Sequence, residues 1–398
     1  MAHMAKKRKV HSLTGRIDAR LMMQAFKAVK RNRGAAGVDK VSIGMFQQNL
    51  DANLAALMRD LKKGTFTPKP LRRVWIPKDA TNTKFRPLGI PAVRDRVAQE
   101  VLRRLLEPIF EPLFHDCSYG FRPGRSCHSA IEKVLSFHEE GYRTTLDADI
   151  AGFFDNIPHK LIVGAVASEV ADGNILRLVE KFLAAGVMES GVFTPTTVGT
   201  PQGGVVSPLL ANIVLNKLDW RLEEAGYRFV RYADDFVVTC ETRPQAEAAL
   251  ALVEEIMTEL GLALSPEKTK IASYGKGYEF LGFRLSSQSR TMRLKSLEKF
   301  KTKIRELTRR CHNLDAQAIE KLNRVIRGTA NYFATDFSTC VWLFQQLDKW
   351  IRMRIRCMKF KRKSERDNFR LRQGTFDKKL GLLKMLDFTN STMCKTRK

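Results

Sequence analysis

The chain has 398 residues, 44% of them hydrophobic, enough for a sizeable core and for two or three domains. Lysine and arginine outnumber aspartate and glutamate 69 to 42, a formal net charge of +27, and so positive a field selects a polyanionic partner, nucleic acid first. No run of about 18 apolar residues is present, which excludes a transmembrane helix; the seven cysteines, odd in number and without a Cys-x-x-Cys, argue against a disulfide framework or zinc knuckle and for a reducing compartment.

Residues 1–10 read as a tag or basic leader. Met1-Ala2-His3-Met4 has the look of a cloning scar, and Lys6-Lys7-Arg8-Lys9 fits a nuclear-localisation pattern. Residues 21–30 have helical periodicity and lead into Gly34-Ala35-Ala36-Gly37-Val38-Asp39, a small-residue loop whose glycines let a backbone approach something closely. A second helix is expected over 43–62, ended by Gly64 and Pro68. Residues 71–78 and 84–91 read as the arms of a hairpin joined by a polar turn; cations on both arms, Lys78 and Arg86 among them, suit it to clamping phosphates. A helix follows over 93–114, then a loop over 118–125.

In Thr145-Leu146-Asp147-Ala148-Asp149-Ile150 the alternation is strict, so Leu146, Ala148 and Ile150 share one face of a strand and Asp147 and Asp149 the other. Two acids on one face of an apolar strand need a cation or solvent. Gly152-Phe153-Phe154-Asp155 turns the chain toward a helix. Gly199-Thr200-Pro201-Gln202-Gly203-Gly204 is a stiff, side-chain-poor loop, and Ser207-Pro208 gives an N-cap followed by proline at the first helical position. Leu210, Ile213, Val214 and Leu218 then recur at core spacing. In the stretch 229–239 two β-prone runs flank Tyr232-Ala233-Asp234-Asp235, a hairpin with carboxylates at its tip. Adjacent like charges at a turn are costly and a divalent cation removes the cost, so the pair suggests a hard-metal site with oxygen ligands; a solvated Asp-Asp turn is the bland alternative.

A long helix over 244–260 is stopped by Gly261, and short strands and turns occupy 262–271 and 278–285. Beyond residue 286 helical periodicity takes over in three basic segments, 294–310, 315–333 and 339–359. Their aromatics (Tyr332, Phe333, Trp342, Trp350) favour a nucleic-acid cradle over a merely solvated surface. The last twenty residues are polar and basic with no evident fold.

A strand acid, a Gln-Gly loop and a paired-acid hairpin, in that order, have a chemical reading: transfer of a nucleotidyl group between two cations roughly 3.5–4 Å apart. At this point the chain resembles the reverse transcriptases encoded by bacterial group II introns. The resemblance runs through Gly34 to Asp39, Arg86-Pro87-Leu88-Gly89-Ile90-Pro91, Tyr119-Gly120-Phe121-Arg122-Pro123-Gly124 and Ala148-Asp149-Ile150-Ala151-Gly152-Phe153-Phe154-Asp155. It continues through Gly199 to Gly204, Ser207 to Asn212, the Tyr232 tetrapeptide and Phe280-Leu281-Gly282; Asn331-Tyr332-Phe333 and Trp350-Ile351-Arg352 resemble the thumb or maturase region.

The resemblance implies an α+β right-hand polymerase: N-terminal extension 11–64, fingers and palm 65–285, helical thumb or maturase domain 286–365, and a basic tail 366–398. It implies catalysis and metal binding by Asp149, Asp234 and Asp235, with Asp147 the rival to Asp149 and Ile150 in the metal set. The cofactor would be two Mg2+ ions, Mn2+ a possible substitute. Lys78 and Arg86 would grip the incoming dNTP. Phe154, or failing it Phe153, would exclude a 2′-hydroxyl, and Gln202 and Gly203 would lie along the nascent base pair. Lys268, or Lys270, would protonate the departing pyrophosphate. Phe280, Leu281 and Gly282 would form the primer grip.

The implied partners are an RNA template, a DNA or RNA primer and cognate group II intron RNA, with no membrane, in the bacterial cytoplasm beside the nucleoid. An RNA-splicing maturase, or a domesticated relative in DNA repair or phage defence, are the alternatives. Val205-Val206 departs from the usual pair before Ser-Pro-Leu-Leu, a packing change. No His-Asn-His nuclease segment or zinc-ligand set is read before Lys398, so the chain is not expected to nick its own primer.

Overall fold

The computed structural model describes residues 9–77, 85–200 and 203–389. It divides into two compact units, one running to Ile271 and the other starting at Ala272. The fold class is α+β, as the sequence implies.

The first unit opens with α1 (Ala19–Arg31), α2 (Ile43–Gln48) and α3 (Leu50–Lys63). Asp18 and Ser42 cap α1 and α2 by accepting from the Leu21 and Met45 amides. The single helix expected over 43–62 is therefore two. Asn49 leaves helical backbone at φ −120°, ψ 47°. Asn53 donates its side-chain amide to the Phe46 carbonyl at 2.9 Å, the acceptor a continuous helix would have offered to Leu50.

Strands β1 (Leu71–Pro77) and β2 (Phe85–Ile90) pair antiparallel, with Ile76 opposite Arg86. Helix α4 (Val93–Phe110) ends sooner than the expected residue 114, because Pro112 sits in a 3-10 turn, Glu111–Leu113. The small-residue loop meets this helix: a Cβ on Gly37 would lie 2.6 Å from the Ala92 backbone, and Arg72 donates to the Ala36 carbonyl at 3.1 Å. What its glycines approach is the protein's own chain.

Next come α5 (Cys127–Glu139), β3 (Thr144–Asp149), α6 (Phe153–Asn156), α7 (His159–Ala167), α8 (Gly173–Leu183), β4 (Val187–Glu189) and β5 (Val192–Thr194). Helix α9 (Ser207–Glu224), β6 (Arg228–Tyr232), β7 (Asp235–Cys240) and α10 (Arg243–Glu259) follow, and β8 (Lys270–Ser273) carries the chain from the first unit into the second. Ser207 does not cap α9. It is the first helical residue, with Pro208 second, and its hydroxyl instead accepts from Thr200 Oγ1 at 2.7 Å.

Two sheets result, ordered β2-β1-β4-β5 and β6-β7-β3-β8. In the second, Leu146 and Ala148 of β3 lie opposite Val238 and Phe236 of β7, all fully buried. They belong to one apolar core that also takes Leu210, Val214 and Leu218 from α9 and Ala246, Val253 and Ile256 from α10. Truncating one of these larger aliphatic side chains to alanine costs about 2–5 kcal/mol. Burial of one face of β3 fixes its register, and register alone puts Asp147 and Asp149 on the opposite face.

The second unit holds the antiparallel sheet β9 (Tyr278–Phe280), β10 (Phe283–Leu285), β11 (Arg290–Met292) and the helices α11 (Leu294–Leu307), α12 (Ala316–Phe333) and α13 (Val341–Phe360). Phe283 packs its ring 4.8 Å from Phe333 and 5.5 Å from Phe337. Two short helices, α14 (Asp367–Arg370) and α15 (Gln373–Lys378), complete it.

The expectation that the final twenty residues have no fold fails for 379–389. Leu382 and Met385 are buried. Asp348 accepts from the Met385 and Leu386 amides, and Asn323 from the Leu383 amide, so α13 and α12 tie the segment down. All six described cysteines are free. Among the described residues no helix is long and apolar enough to cross a membrane.

Candidate active site

The β6–β7 hairpin turns on Ala233 and Asp234, with Tyr232 opposite Asp235. Ala233 has φ +60°, a left-handed conformation that costs a residue with a Cβ roughly 1–2 kcal/mol. The turn is held in that shape from two sides. The buried Arg231 guanidinium donates to the Ala233 carbonyl at 3.0 Å, and Gly120 lies so close that a Cβ there would sit 2.3 Å from the Ala233 nitrogen. The Tyr119–Gly120 loop is itself tied to β6, since Tyr119 N donates to Arg231 O and Arg231 N to Cys117 O at 2.8 and 2.9 Å. Asn212 of α9 donates to the Gly120 carbonyl at 2.8 Å. Neither Arg231 nor Gly120 announces this role in the sequence: one reads as a strand residue, the other as part of a loop.

Across the sheet, Asp149 pairs directly with Asp235, and residues directly opposite in an antiparallel ladder project to the same face. Asp149 and Asp234 line a cleft of about 530 Å³ with Arg86, Phe154, Gly203 and Lys268. Lys268 donates to Asp149 Oδ2 at 2.7 Å. Burial first, and then the charge of Asp149, pushes the Asp234 carboxyl above its ordinary range, while Lys268 and Arg231 pull it down. Two carboxylates that destabilise one another at the mouth of a cleft form an all-oxygen donor set suited to a hard divalent cation.

The three carboxylates do not close into a cage. Among the described residues no group of three or more His, Cys, Asp or Glu side chains is placed to hold one ion. Asp149 is turned to the Lys268 ammonium, and Asp235 does not line the cleft. A partial set fits magnesium, which takes substrate phosphates and water for its remaining positions.

Of the other candidate residues, Ile150 lines the cleft while its side chain is buried, so its backbone is what it presents. Asp147 does not line the cleft; Lys270 Nζ lies 3.6 Å from its carboxylate. Phe153 and Phe154 both line the cleft, Phe154 half-buried and Phe153 only 2% exposed within the core. A Cβ on Gly203 would stand 2.4 Å from the Gly89 carbonyl, so this glycine lets its loop lie against β2. Lys78 and Gln202 lie outside the described residues. Phe280, Leu281 and Gly282 occupy the β9–β10 turn of the second unit, where Tyr332 donates its hydroxyl to the Leu281 carbonyl at 2.8 Å.

Residues 76–285 match the reverse transcriptase (RNA-dependent DNA polymerase) family, and residues 297–374 match the group II intron maturase-specific domain. The chain is a reverse transcriptase of the group II intron family. This reverse transcriptase is 36% identical over 305 residues to protein YkfC of Escherichia coli K12, covering 66% of its own length and 80% of that protein. It is 41% identical over 210 residues to the group II intron-encoded protein LtrA of Lactococcus lactis subsp. cremoris, covering 52% of itself and 34% of LtrA. Against the 91 kDa protein in the cob intron of Schizosaccharomyces pombe the identity is 33% over 290 residues, 58% of this chain and 36% of that one. The chain thus spans about a third of the two intron-encoded relatives. Reverse transcriptase domains as a class use divalent metal ions and act on nucleic acid.

Proposed function

We propose that this protein extends a primer 3′-hydroxyl with deoxynucleotides on an RNA template. The observation that carries the reading is the pairing of Asp149 with Asp235 across β3–β7, with Asp234 in the adjoining turn and Lys268 and Arg86 along the same cleft. Asp149, Asp234 and Asp235, with the Ile150 backbone, would hold magnesium, or manganese in its place. Such ions supply neutralisation of charge on the attacking and leaving oxygens.

The remaining roles fall to this chain's own groups. Arg86 presents a guanidinium, and Lys78 an ammonium, to the triphosphate. Lys268 neutralises Asp149 and holds a proton within reach of the departing pyrophosphate. Phe154 fills the space a ribose 2′-hydroxyl would need. Gly203 keeps the chain low beneath the nascent pair, along which Gln202 would also lie. Residues 65–285 would serve as fingers and palm, and the helices beyond 286 as thumb, with Phe280 to Gly282 as primer grip. The match of residues 297–374 to a maturase-specific domain supports a second task, binding structured intron RNA through the basic helices.

The test is Asp234→Ala with Asp235→Ala. Primer extension on an RNA template is expected to vanish while affinity for the primer–template survives. Retained synthesis would refute the carboxylate assignment.

A further inference from the structure

Within the second unit, one face of α13 carries Lys349, Arg352 and Arg356 at i, i+3 and i+7, the spacing that stacks side chains along a single helix face. Just past its end Lys361 takes φ +57° and turns the chain back. Leu371 and Phe376 are buried by the return, Arg356 Nε donates to the Leu371 carbonyl at 3.0 Å, and its guanidinium lies 5.1 Å from the Phe376 ring. The result is a concavity of about 440 Å³, walled on one side by α13 and on the other by residues 362–373.

Its lining is unbalanced. Lys349, Arg352, Arg356, Arg362 and Lys363 face Glu365 alone among carboxylates. Buried Asp367 answers part of this charge through Arg362, at 3.1 Å, and Arg370, at 3.6 Å. The side chains of Arg352, Lys349 and Lys363 make no hydrogen bond or ion pair among the described residues, and Asp348 is the carboxylate whose charge Arg352 feels. Burial and the neighbouring charge of Arg352 both act against the Arg356 cation. Two half-buried guanidinium groups, one helical turn apart and repelling each other, are stable together when an anion lies between them.

We infer that this concavity is a phosphate-binding pocket for a folded RNA, taking one nucleotide with its flanking phosphates on Arg352, Arg356 and the Lys349–Lys363 rim. The volume is that of a small-ligand site, about 300–1,000 Å³, and guanidinium forks match phosphate oxygens in pairs. The inference rests on the RNA-binding reading of residues 297–374, and it says where on that domain the backbone is gripped.

The test uses the full chain, a labelled group II intron RNA as probe, and a short RNA–DNA primer–template duplex as the second probe. Wild type is expected to bind the intron RNA with steep salt dependence. Arg352→Gln with Arg356→Gln is expected to weaken that binding about tenfold at 0.1 M salt. It should also flatten the log–log salt slope by roughly 0.7–0.9 for each phosphate that is no longer neutralised. Arg356 also packs on Phe376, so Lys349→Gln with Lys363→Gln on the exposed rim is the second variant, expected to flatten the slope in the same direction with an unchanged melting temperature. Arg352→Lys is expected to restore part of the affinity. Unchanged affinity and slope in the rim variant would overturn the pocket while leaving the RNA-binding reading intact. Equal losses on the intron RNA and the short duplex would overturn it too, as a general charge effect. Wild type that binds intron RNA no better than it binds inorganic phosphate would overturn the reading itself.

Discussion

Arg231 and Asp219 meet in an ion pair with neither side chain exposed to solvent, closed by two hydrogen bonds of 2.7 and 2.6 Å. The same guanidinium reaches Asn212 Oδ1, Ser118 Oγ and the Ala233 carbonyl, so all five of its N–H donors are used. Helix α9, the Tyr119 loop and the carboxylate-bearing turn are thereby bolted to one planar group. Removing one partner of such a pair leaves a buried charge unanswered, at about 3–5 kcal/mol. Asp219→Ala is expected to lose that much stability in a denaturant titration. Arg231→Lys keeps the charge but has too few donors, so primer extension is expected to fall more steeply than stability. Equal and small losses in both would mean the network does not position the turn.

Gly120 tests the same placement from the other side. A methyl group there collides with the Ala233 nitrogen at 2.3 Å, and backbone cannot yield as a flexible side chain does. Gly120→Ala is expected to displace the Asp234 turn at a cost of about 1–3 kcal/mol. A misplacement on the order of 1 Å near reacting groups can cost about a hundredfold in rate. Single-turnover primer extension should therefore drop at least tenfold in protein that still melts cooperatively. A normal rate would show that the contact has slack.

Much of this site could be read from local pattern. Alternation in β3 placed Asp147 and Asp149 together, and the β-prone runs around Ala233 gave the hairpin, because both signals lie within a few residues. Phe153 and Phe154 are harder: adjacent identical residues carry no periodicity, and both line the cleft, so only packing shows that Phe153 is the more deeply buried. The Arg231 network was not legible, since its partners Ser118, Asn212 and Asp219 lie up to 113 residues away and an arginine inside a strand reads as a surface residue. The β4–β5 hairpin escaped for another reason: strands of three residues are too short to show a period. The fold of 379–389 depends on carboxylate and amide partners in α12 and α13, which composition does not reveal.

Asp95, near the start of α4, gives stability a pH dependence of definite sign. It is 1% exposed, accepts from the Lys69 amide through Oδ2, and has no hydrogen-bond partner for Oδ1. Burial pushes its carboxyl from 3.8 up to about 6, opposed by the Lys69 amide and the nearby cations. The folded state thus holds the proton more tightly than the unfolded chain, so this contribution is complete below about pH 4 and is lost as pH rises through about 6. Its upper limit is about 3 kcal/mol. An asparagine at this position would keep an acceptor for the Lys69 amide without the charge. Urea midpoints of wild type and Asp95→Asn are expected to diverge between pH 4 and 7, the variant gaining relative to wild type as pH rises. Parallel midpoints would place the Asp95 proton elsewhere.

Phe154 separates sugar selection from packing because its neighbour is a built-in control. The two rings meet edge to face, centroids 5.3 Å apart and planes at 66°, but only Phe154 is half-buried. Phe154→Ala removes bulk from the cleft with little loss of core, so ribonucleotide incorporation is expected to rise at least tenfold relative to deoxynucleotide. Phe153→Leu removes core packing instead. It is expected to lower stability by about 1 kcal/mol and to leave sugar choice unchanged. Competition assays with matched ribo- and deoxynucleoside triphosphates read both variants. A rise in ribonucleotide use for Phe153→Leu alone would mean that selection acts through Phe153, the more deeply buried of the two rings that line the cleft.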